Sequence, residues 1–362
     1  MKVLLIGEFS SFHKYLSDGL KANGCEVTLV SGTDGWKKIK GADFSLYDNS
    51  VKCSGALKHF LLYREACKTI DKLDDDYDVV QFINPRIYTP YINWLLIKKL
   101  KKKGKVISLV SCGNDLALNQ AYRDGKFDYY MMDGEKELLN EYSLRKSRGI
   151  AYTTSEKKFL EYIDCIIPTL YEYRIGYGND CRLTKTIPMP INLESIIYKE
   201  NVVKDKIVIF HGISRRGAKG SDFIEEAMKK IKEKYPHDVE IIVAEKLPFE
   251  EYVRIMDKAN IVIDQCRSYG YGINADIAMA QGKVVLSGAR KETLESLGVS
   301  KCPIFGIIPD ENQIYQQLEF IVMNRDKITL WGKESREYVE KVHDCKNVAK
   351  EYIKVWSEGL NE

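Results

Sequence analysis

His211-Gly212-Ile213-Ser214-Arg215-Arg216-Gly217-Ala218-Lys219-Gly220-Ser221 separates a short β-branched run, Ile207 to His211, from an amphipathic stretch, Ser221 to Glu233. A strand that passes through a glycine-bearing turn straight into a helix is the repeating unit of parallel α/β sheets. Three glycines let the backbone approach a ligand closely, the helix start offers unpaired N–H groups, and Arg215, Arg216 and Lys219 add positive charge beside them. That combination suits a diphosphate. A solvated basic turn has the same composition, so the position between strand and helix carries the reading. The stretch is not a P-loop, which needs Gly-x-x-x-x-Gly-Lys followed by Ser or Thr.

A second turn of this kind lies downstream, in Asp264-Gln265-Cys266-Arg267-Ser268-Tyr269-Gly270-Tyr271-Gly272-Ile273-Asn274. Gly270 and Gly272 allow close backbone approach, and Asn274 can donate from the helix start to a hydroxyl or phosphate oxygen. A lone Gly-x-Gly is weak evidence. It gains weight because it lies in the same predicted domain as the basic turn, at another strand's carboxyl end, where open α/β sheets bind ligands.

Short apolar runs and longer amphipathic ones alternate along the whole chain, in two series. The first predicts strands at Lys2 to Ile6, Glu26 to Val30, Val79 to Ile83, Val106 to Val110, Cys165 to Ile167 and Thr186 to Pro188, with helices such as His13 to Ala22 and Tyr91 to Lys103. The second predicts strands at Ile207 to His211, Val239 to Val243, Ile261 to Asp264, Val284 to Ser287 and Pro303 to Ile307, with helices near Ser221 to Glu233, Pro248 to Lys258 and Ile273 to Ala280. Pro188-Met189-Pro190-Ile191-Asn192 interrupts regular structure between them. The expectation is α/β, two doubly wound Rossmann-like domains, at 1–190 and 191–334. A helical region, Ile314 to Asn324 and Ser335 to Trp356, follows and packs across both.

The bulk numbers agree with two ordinary globular domains. The 362 residues are 44% hydrophobic and 30% charged, and 55 Lys+Arg against 52 Asp+Glu leave +3, too little to imply a nucleic-acid partner. Nine scattered cysteines form no zinc-ligand pattern and fit a reducing compartment. The opening Met1-Lys2-Val3-Leu4-Leu5-Ile6 has too few apolar residues for a signal-peptide core, and no run approaches the roughly 18 apolar residues of a membrane span. The expected location is the cytoplasm, with contact at a membrane surface left open.

In the first series, Gly7-Glu8-Phe9-Ser10-Ser11-Phe12-His13 follows the first strand and Ser111-Cys112-Gly113-Asn114-Asp115 follows the fourth. Both loops should face the crevice. His13 and Asp115 are the titratable residues best placed to meet a substrate hydroxyl as catalytic groups, with a first-turn helix residue and an N-cap as the structural alternatives. Asp74-Asp75-Asp76 reads as a solvated turn, the six lysines of Lys98 to Lys105 mostly as a helix C-terminus, and Tyr122, Phe127, Tyr129, Tyr130, Met131 and Met132 as core or an acceptor wall.

The two glycine turns resemble those of the GT-B glycosyltransferases, in particular the family 4 group that uses nucleotide-sugar donors. In that group an Arg and a Lys-Gly after a strand hold the donor diphosphate, matched here by Arg215 or Arg216 and Lys219-Gly220. Its next landmark, Glu-Gly-Phe-Gly then Glu-Ala-Met-Ala and Gly-Lys, is matched in frame by Tyr269-Gly270-Tyr271-Gly272, Ile277-Ala278-Met279-Ala280 and Gly282-Lys283. Both glutamates of the E-x7-E pattern are replaced, by Tyr269 and Ile277, as in a bacterial variant subset. Asp276 adjoins the second position, but one residue along a helix turns a side chain by about 100°.

The resemblance implies a cleft between the domains, the donor on the second, the acceptor on the first, and a last helix, 335–362, returning to the first. It implies transfer of a sugar from a nucleotide diphosphate to a saccharide or lipid-linked acceptor in surface polysaccharide assembly, retaining and without a metal or other cofactor. Arg215, Arg216, Lys219, Gly270, Tyr271 and Gly272 would hold the diphosphate, and Ser268, Tyr269 and Asn274 the sugar or ribose. An inactive binding or scaffold protein and a nucleotide-sugar epimerase of the same architecture are the alternatives.

Overall fold

The computed structural model describes residues 1–31, 41–46, 55–247 and 249–361. Its strands form two all-parallel sheets. The first holds β1 (Lys2–Ile6), β2 (Glu26–Ser31), β3 (Phe44–Ser45), β4 (Tyr77–Phe82), β5 (Gly104–Ser111) and β6 (Cys165–Pro168), in the order β3-β2-β1-β4-β5-β6. The second holds β7 (Ile207–Ile213), β8 (Val239–Glu245), β9 (Ile261–Ile263), β10 (Val284–Ser287) and β11 (Phe305–Gly306), in the order β11-β10-β9-β7-β8. These are the two common doubly wound orders, and each reverses once, between β1 and β4 and between β7 and β9. Loops leaving such a pair of strands turn to opposite faces and open a crevice. The central strands are buried on both faces, which is why they read as unbroken apolar runs.

Two predicted elements differ, and one strand is found that the sequence pattern does not predict. Thr186 to Pro188 is not a strand: it leans on β6 by single hydrogen bonds, such as Ile187 N–H to the Pro168 carbonyl (2.9 Å), and Pro188 and Pro190 lack the N–H a ladder needs. The two-residue β3 gives no periodic signal. The stretch Ser335 to Trp356 is two helices, Ile328–Val342 and Cys345–Asn361. The linker causes the break, because the Ile191 N–H donates to the His343 carbonyl (2.7 Å) and the Cys345 N–H to the Ile191 carbonyl (3.0 Å). The first of the two packs on helix Ile273–Ala280, while the second crosses to helix Phe12–Ala22, where a side chain on Gly19 would overlap the Cys345 carbonyl. Tyr352 and Trp356 anchor this return, both fully buried in the core cluster that also holds Val3, Leu5 and Leu16.

The acidic and lysine runs find one another. Lys103 Nζ donates to Asp75 Oδ1 (2.6 Å) and the Leu73 carbonyl (2.8 Å), Lys2 pairs with Asp74 and Asp76, and Lys99, Lys101 and Lys105 pair with Asp71, Asp164 and Asp78. Much of the charge of both runs is thereby paired. Eight cysteines are free among the described residues, and Cys53 and Pro248 lie outside them. No described helix is long and apolar enough to cross a membrane.

Candidate functional site

From β7, Ser214 and Arg215 lead into one helical turn, Arg216–Lys219, and Gly220 turns left-handed at φ 69° to start helix Ser221–Lys234. A side chain on Gly220 would also overlap the Cys266 sulfur, so the position needs glycine for two reasons. The loop after β9 lies directly against this turn. The Cys266 N–H donates to the Lys219 carbonyl (3.0 Å), Arg267 Nη1 to the Gly217 carbonyl (2.9 Å), and Lys219 Nζ to the Gly212 carbonyl and Asp264 Oδ1 (2.8 Å each). Beneath them His211 is fully buried. Its Nδ1–H donates to the Ile263 carbonyl (2.9 Å), its Nε2 accepts from the Ser221 hydroxyl (2.9 Å), and burial lowers its pKa to about 4. A neutral ring therefore joins the two strands at the reversal point.

The two loops border a cavity of about 180 Å³ that both domains line. The second domain contributes Ser214, Arg215, Lys219, Asp264, Gln265 and Ser268, with Gly272, Ile273 and Asn274 at the start of helix Ile273–Ala280. The first contributes Phe9 and Ser10 after β1, Cys112 after β5, Leu170 and Tyr173 after β6, and Tyr130 and Met131. Ser10 and Ser11 both have positive φ, 54° and 69°, an arrangement that costs of order 1–3 kcal/mol per residue. It brings Ser10 to the cavity.

The basic residues divide. Lys219 is buried and lines the cavity, its charge shared with Asp264. Arg215 also lines it, touches Met131 Sδ (3.6 Å), and has no carboxylate within ion-pair distance among the described residues. Arg216 points outward, bound to Glu225 (2.8 Å) and Glu245 (3.2 Å). Ser268, Gly272 and Asn274 line the cavity, whereas Gly270 and the side chains of Tyr269 and Tyr271 are engaged elsewhere. The Tyr271 hydroxyl meets Tyr338 (2.6 Å) and His343 (3.1 Å) beside the last helices. Asp276 is buried near His343 Nε2 (3.5 Å), away from the cavity, and burial raises its pKa.

Tyr269, in the place of a family glutamate, joins the domains instead. It stacks on Tyr171 with centroids 5.8 Å apart and planes within 3°, meets Phe127 and Tyr129 edge-on or tilted, and lies under the Arg290 guanidinium at 4.0 Å. Its hydroxyl accepts from the Asp128 N–H (2.8 Å), and Arg290 also holds Asp128 (2.7 Å). One residue further, the Gly270 N–H donates to Glu172 Oε1 (2.9 Å), which also accepts from the Ser268 hydroxyl (2.6 Å). A carboxylate of the first domain thus holds the glycine loop of the second. Of the aromatic stretch, Tyr130 faces the cavity while Phe127 and Tyr129 serve this junction.

His13 and Asp115 do not line the cavity. His13 is fully buried: Nδ1–H donates to the Gly7 carbonyl (2.8 Å), Nε2 accepts from the Gln81 amide (3.3 Å), and burial takes its pKa to about 3. Both ring nitrogens are used, leaving no lone pair for a substrate proton. Asp115 caps helix Leu116–Arg123, accepting from the Leu118 N–H (2.7 Å) and the Tyr177 hydroxyl (2.9 Å). Burial raises its pKa to about 6. Their loops do reach the crevice, but through Phe9, Ser10 and Cys112.

Asp264, Gln265 and Ser214, which line the cavity, and Glu172, which holds the glycine loop, are not marked as site residues by the sequence patterns. Asp264 carried a signal, a carboxylate at the carboxyl end of a strand before a glycine loop. Glu172 carried none, since its role depends on the other domain. Among the described residues no cluster of three or more His, Cys, Asp or Glu is arranged to hold a metal ion.

No family model matches the chain, and no curated protein matches its sequence. Solved structures do. A sucrose-phosphate synthase from Thermosynechococcus elongatus superposes with a TM-score of 0.64 at 15% identity, over 99% of this chain and 98% of that one. HepE from Anabaena, in complex with UDP-glucose, gives 0.61 at 10% identity over 99% and 100%. A UDP-GlcNAc 2-epimerase from Neisseria meningitidis, bound to UDP-GlcNAc, gives 0.57 at 12% identity over 99% and 100%. The similarity is one of fold, and spans both domains: the chain has the GT-B architecture of two facing Rossmann-like domains.

Proposed function

We propose that the chain is a glycosyltransferase that binds a nucleotide diphosphate sugar between its two glycine loops and passes the sugar to a saccharide or lipid-linked acceptor entering from the first domain. One observation carries this reading: the loops after β7 and β9, the strands flanking the reversal point, are bonded together and border a single interdomain cavity with Arg215 and the start of helix Ile273–Ala280 at its wall. UDP-sugar complexes of proteins with this fold support it.

Breaking the sugar–phosphate bond puts negative charge on the departing diphosphate. Arg215, unopposed by a carboxylate among the described residues, and the N–H groups at the start of helix Ile273–Ala280 would stabilise that charge. Lys219 is already balanced by Asp264, so it acts by fixing the loop as much as by attraction. Retention of configuration, independence of metals, and a place in surface polysaccharide assembly belong to this reading.

The test is incubation with UDP-, GDP- and ADP-sugars followed by product analysis. Release of nucleoside diphosphate, with a glycosylated product when acceptor is supplied, supports the transferase. Conversion of the sugar nucleotide to an isomer without acceptor supports the second reading, an epimerase, which the likeness to a UDP-GlcNAc 2-epimerase favours. Binding with neither outcome is the scaffold alternative.

A further inference from the structure

We infer that Asp264 recognises a hydroxyl of a sugar ring attached to the bound diphosphate, through its Oδ2 atom; this rests on the donor-site reading above. Asp264 is 3% exposed and lines the cavity. Its two oxygens differ. Oδ1 accepts from Lys219 Nζ at 2.8 Å, while Oδ2 is buried with no hydrogen-bond partner. A buried carboxylate oxygen left unpaired is costly, and one on a residue that lines a cavity is open to completion by a ligand there.

The chemistry of that ligand follows from the acceptor. An ion-paired carboxylate offers lone pairs and no proton, so Oδ2 repels a phosphate oxygen and needs an O–H or N–H. It lies beside Gly272, where a Cβ would stand 3.7 Å from it, at the start of helix Ile273–Ala280. Gly272 leaves this side of the oxygen free of a side chain. Because Asp264 is held by a lysine of the basic loop, its free oxygen sits within reach of the diphosphate's immediate neighbours. Those are the transferred sugar and the ribose, both rich in hydroxyls, whereas the base is one ring further away. The same carboxylate thus fixes Lys219 with one oxygen and reads a carbohydrate hydroxyl with the other.

The experiment is calorimetric titration of the full-length protein and of Asp264→Asn with UDP-, GDP- and ADP-glucose, then with deoxy analogues of whichever binds, lacking single hydroxyls on the glucose or the ribose. The expected result is one analogue that binds the wild-type protein about 10- to 100-fold more weakly than its parent, while Asp264→Asn binds the two alike. A hydroxyl missing from the glucose assigns the contact to the transferred sugar, one missing from the ribose to the nucleoside. The inference is overturned if every deoxy analogue binds the wild-type protein within about threefold of its parent, a measurement that needs no variant to fold, or if Asp264→Asn keeps the discrimination. Failure of the wild-type protein to bind any of the three glucose conjugates overturns the donor-site reading itself, and the inference with it.

Discussion

Gly134 of the first domain and Gly217 of the second touch across the cleft, so closely that a Cβ on either would overlap the other's carbonyl oxygen. Beside them the Ala218 N–H donates to Glu135 Oε1 (3.3 Å). Gly217 lies within the helical turn Arg216–Lys219, where alanine is locally favourable. Gly217→Ala therefore isolates the effect on domain approach. It should lower stability by about 1–3 kcal/mol, raise the radius of gyration in small-angle scattering, and weaken nucleoside diphosphate binding; unchanged scattering and binding would show that this contact does not set the approach of the domains.

Tyr269 should be the main aromatic anchor between the domains. Tyr269→Ala removes its stacking on Tyr171 and its place under Arg290, and should cost about 3–5 kcal/mol in urea unfolding. Tyr269→Phe loses only the bond from the Asp128 N–H and should cost about 1 kcal/mol. Equal losses in the two variants would contradict the assignment.

Glu156 gives the fold a pH dependence with a definite sign. It is buried beside Asp115, with Tyr142 and Arg86 nearby, and burial followed by the Asp115 charge raises its pKa to about 8. The folded state keeps a proton that the unfolded chain, with a pKa near 4.5, gives up. The stability this residue contributes is therefore present at low pH and lost as pH rises through about 8. Glu156→Gln cannot ionise, so its stability relative to wild type should improve between pH 5 and pH 9 by more than about 1.4 kcal/mol, the value of one pH unit. Parallel stability curves for the two proteins would show that Glu156 is ionised throughout.

The parts of the molecule legible in the sequence are those that local chemistry decides. β10 and helix Ile273–Ala280 occur at their predicted residues because buried parallel strands and small-residue helices leave dense local patterns. That the two glycine loops lie at carboxyl ends of strands in one domain was legible; that those strands, β7 and β9, are neighbours is set by the sheet order. The direction of each side chain was not legible either. Arg215 and Arg216 are adjacent and alike, yet one faces the cavity and the other meets Glu225 and Glu245. His13 looked catalytic because it follows a glycine turn, but Gln81 on β4 occupies its free nitrogen, a partner 68 residues away. Glu172 and Tyr269 were opaque for the same reason, since each works through the opposite domain.

On the proposed function, the loops after β7 and β9 hold one diphosphate, with Arg215 as the cation facing it and Arg216 outside. Calorimetric titration of UDP, GDP and ADP into the wild-type protein, Arg215→Ala and Arg216→Ala tests this directly. One diphosphate should bind, Arg215→Ala should weaken it about 10- to 100-fold, and Arg216→Ala should leave it within about threefold. Equal affinities in wild type and Arg215→Ala, or no binding of any diphosphate to the wild-type protein, would contradict it.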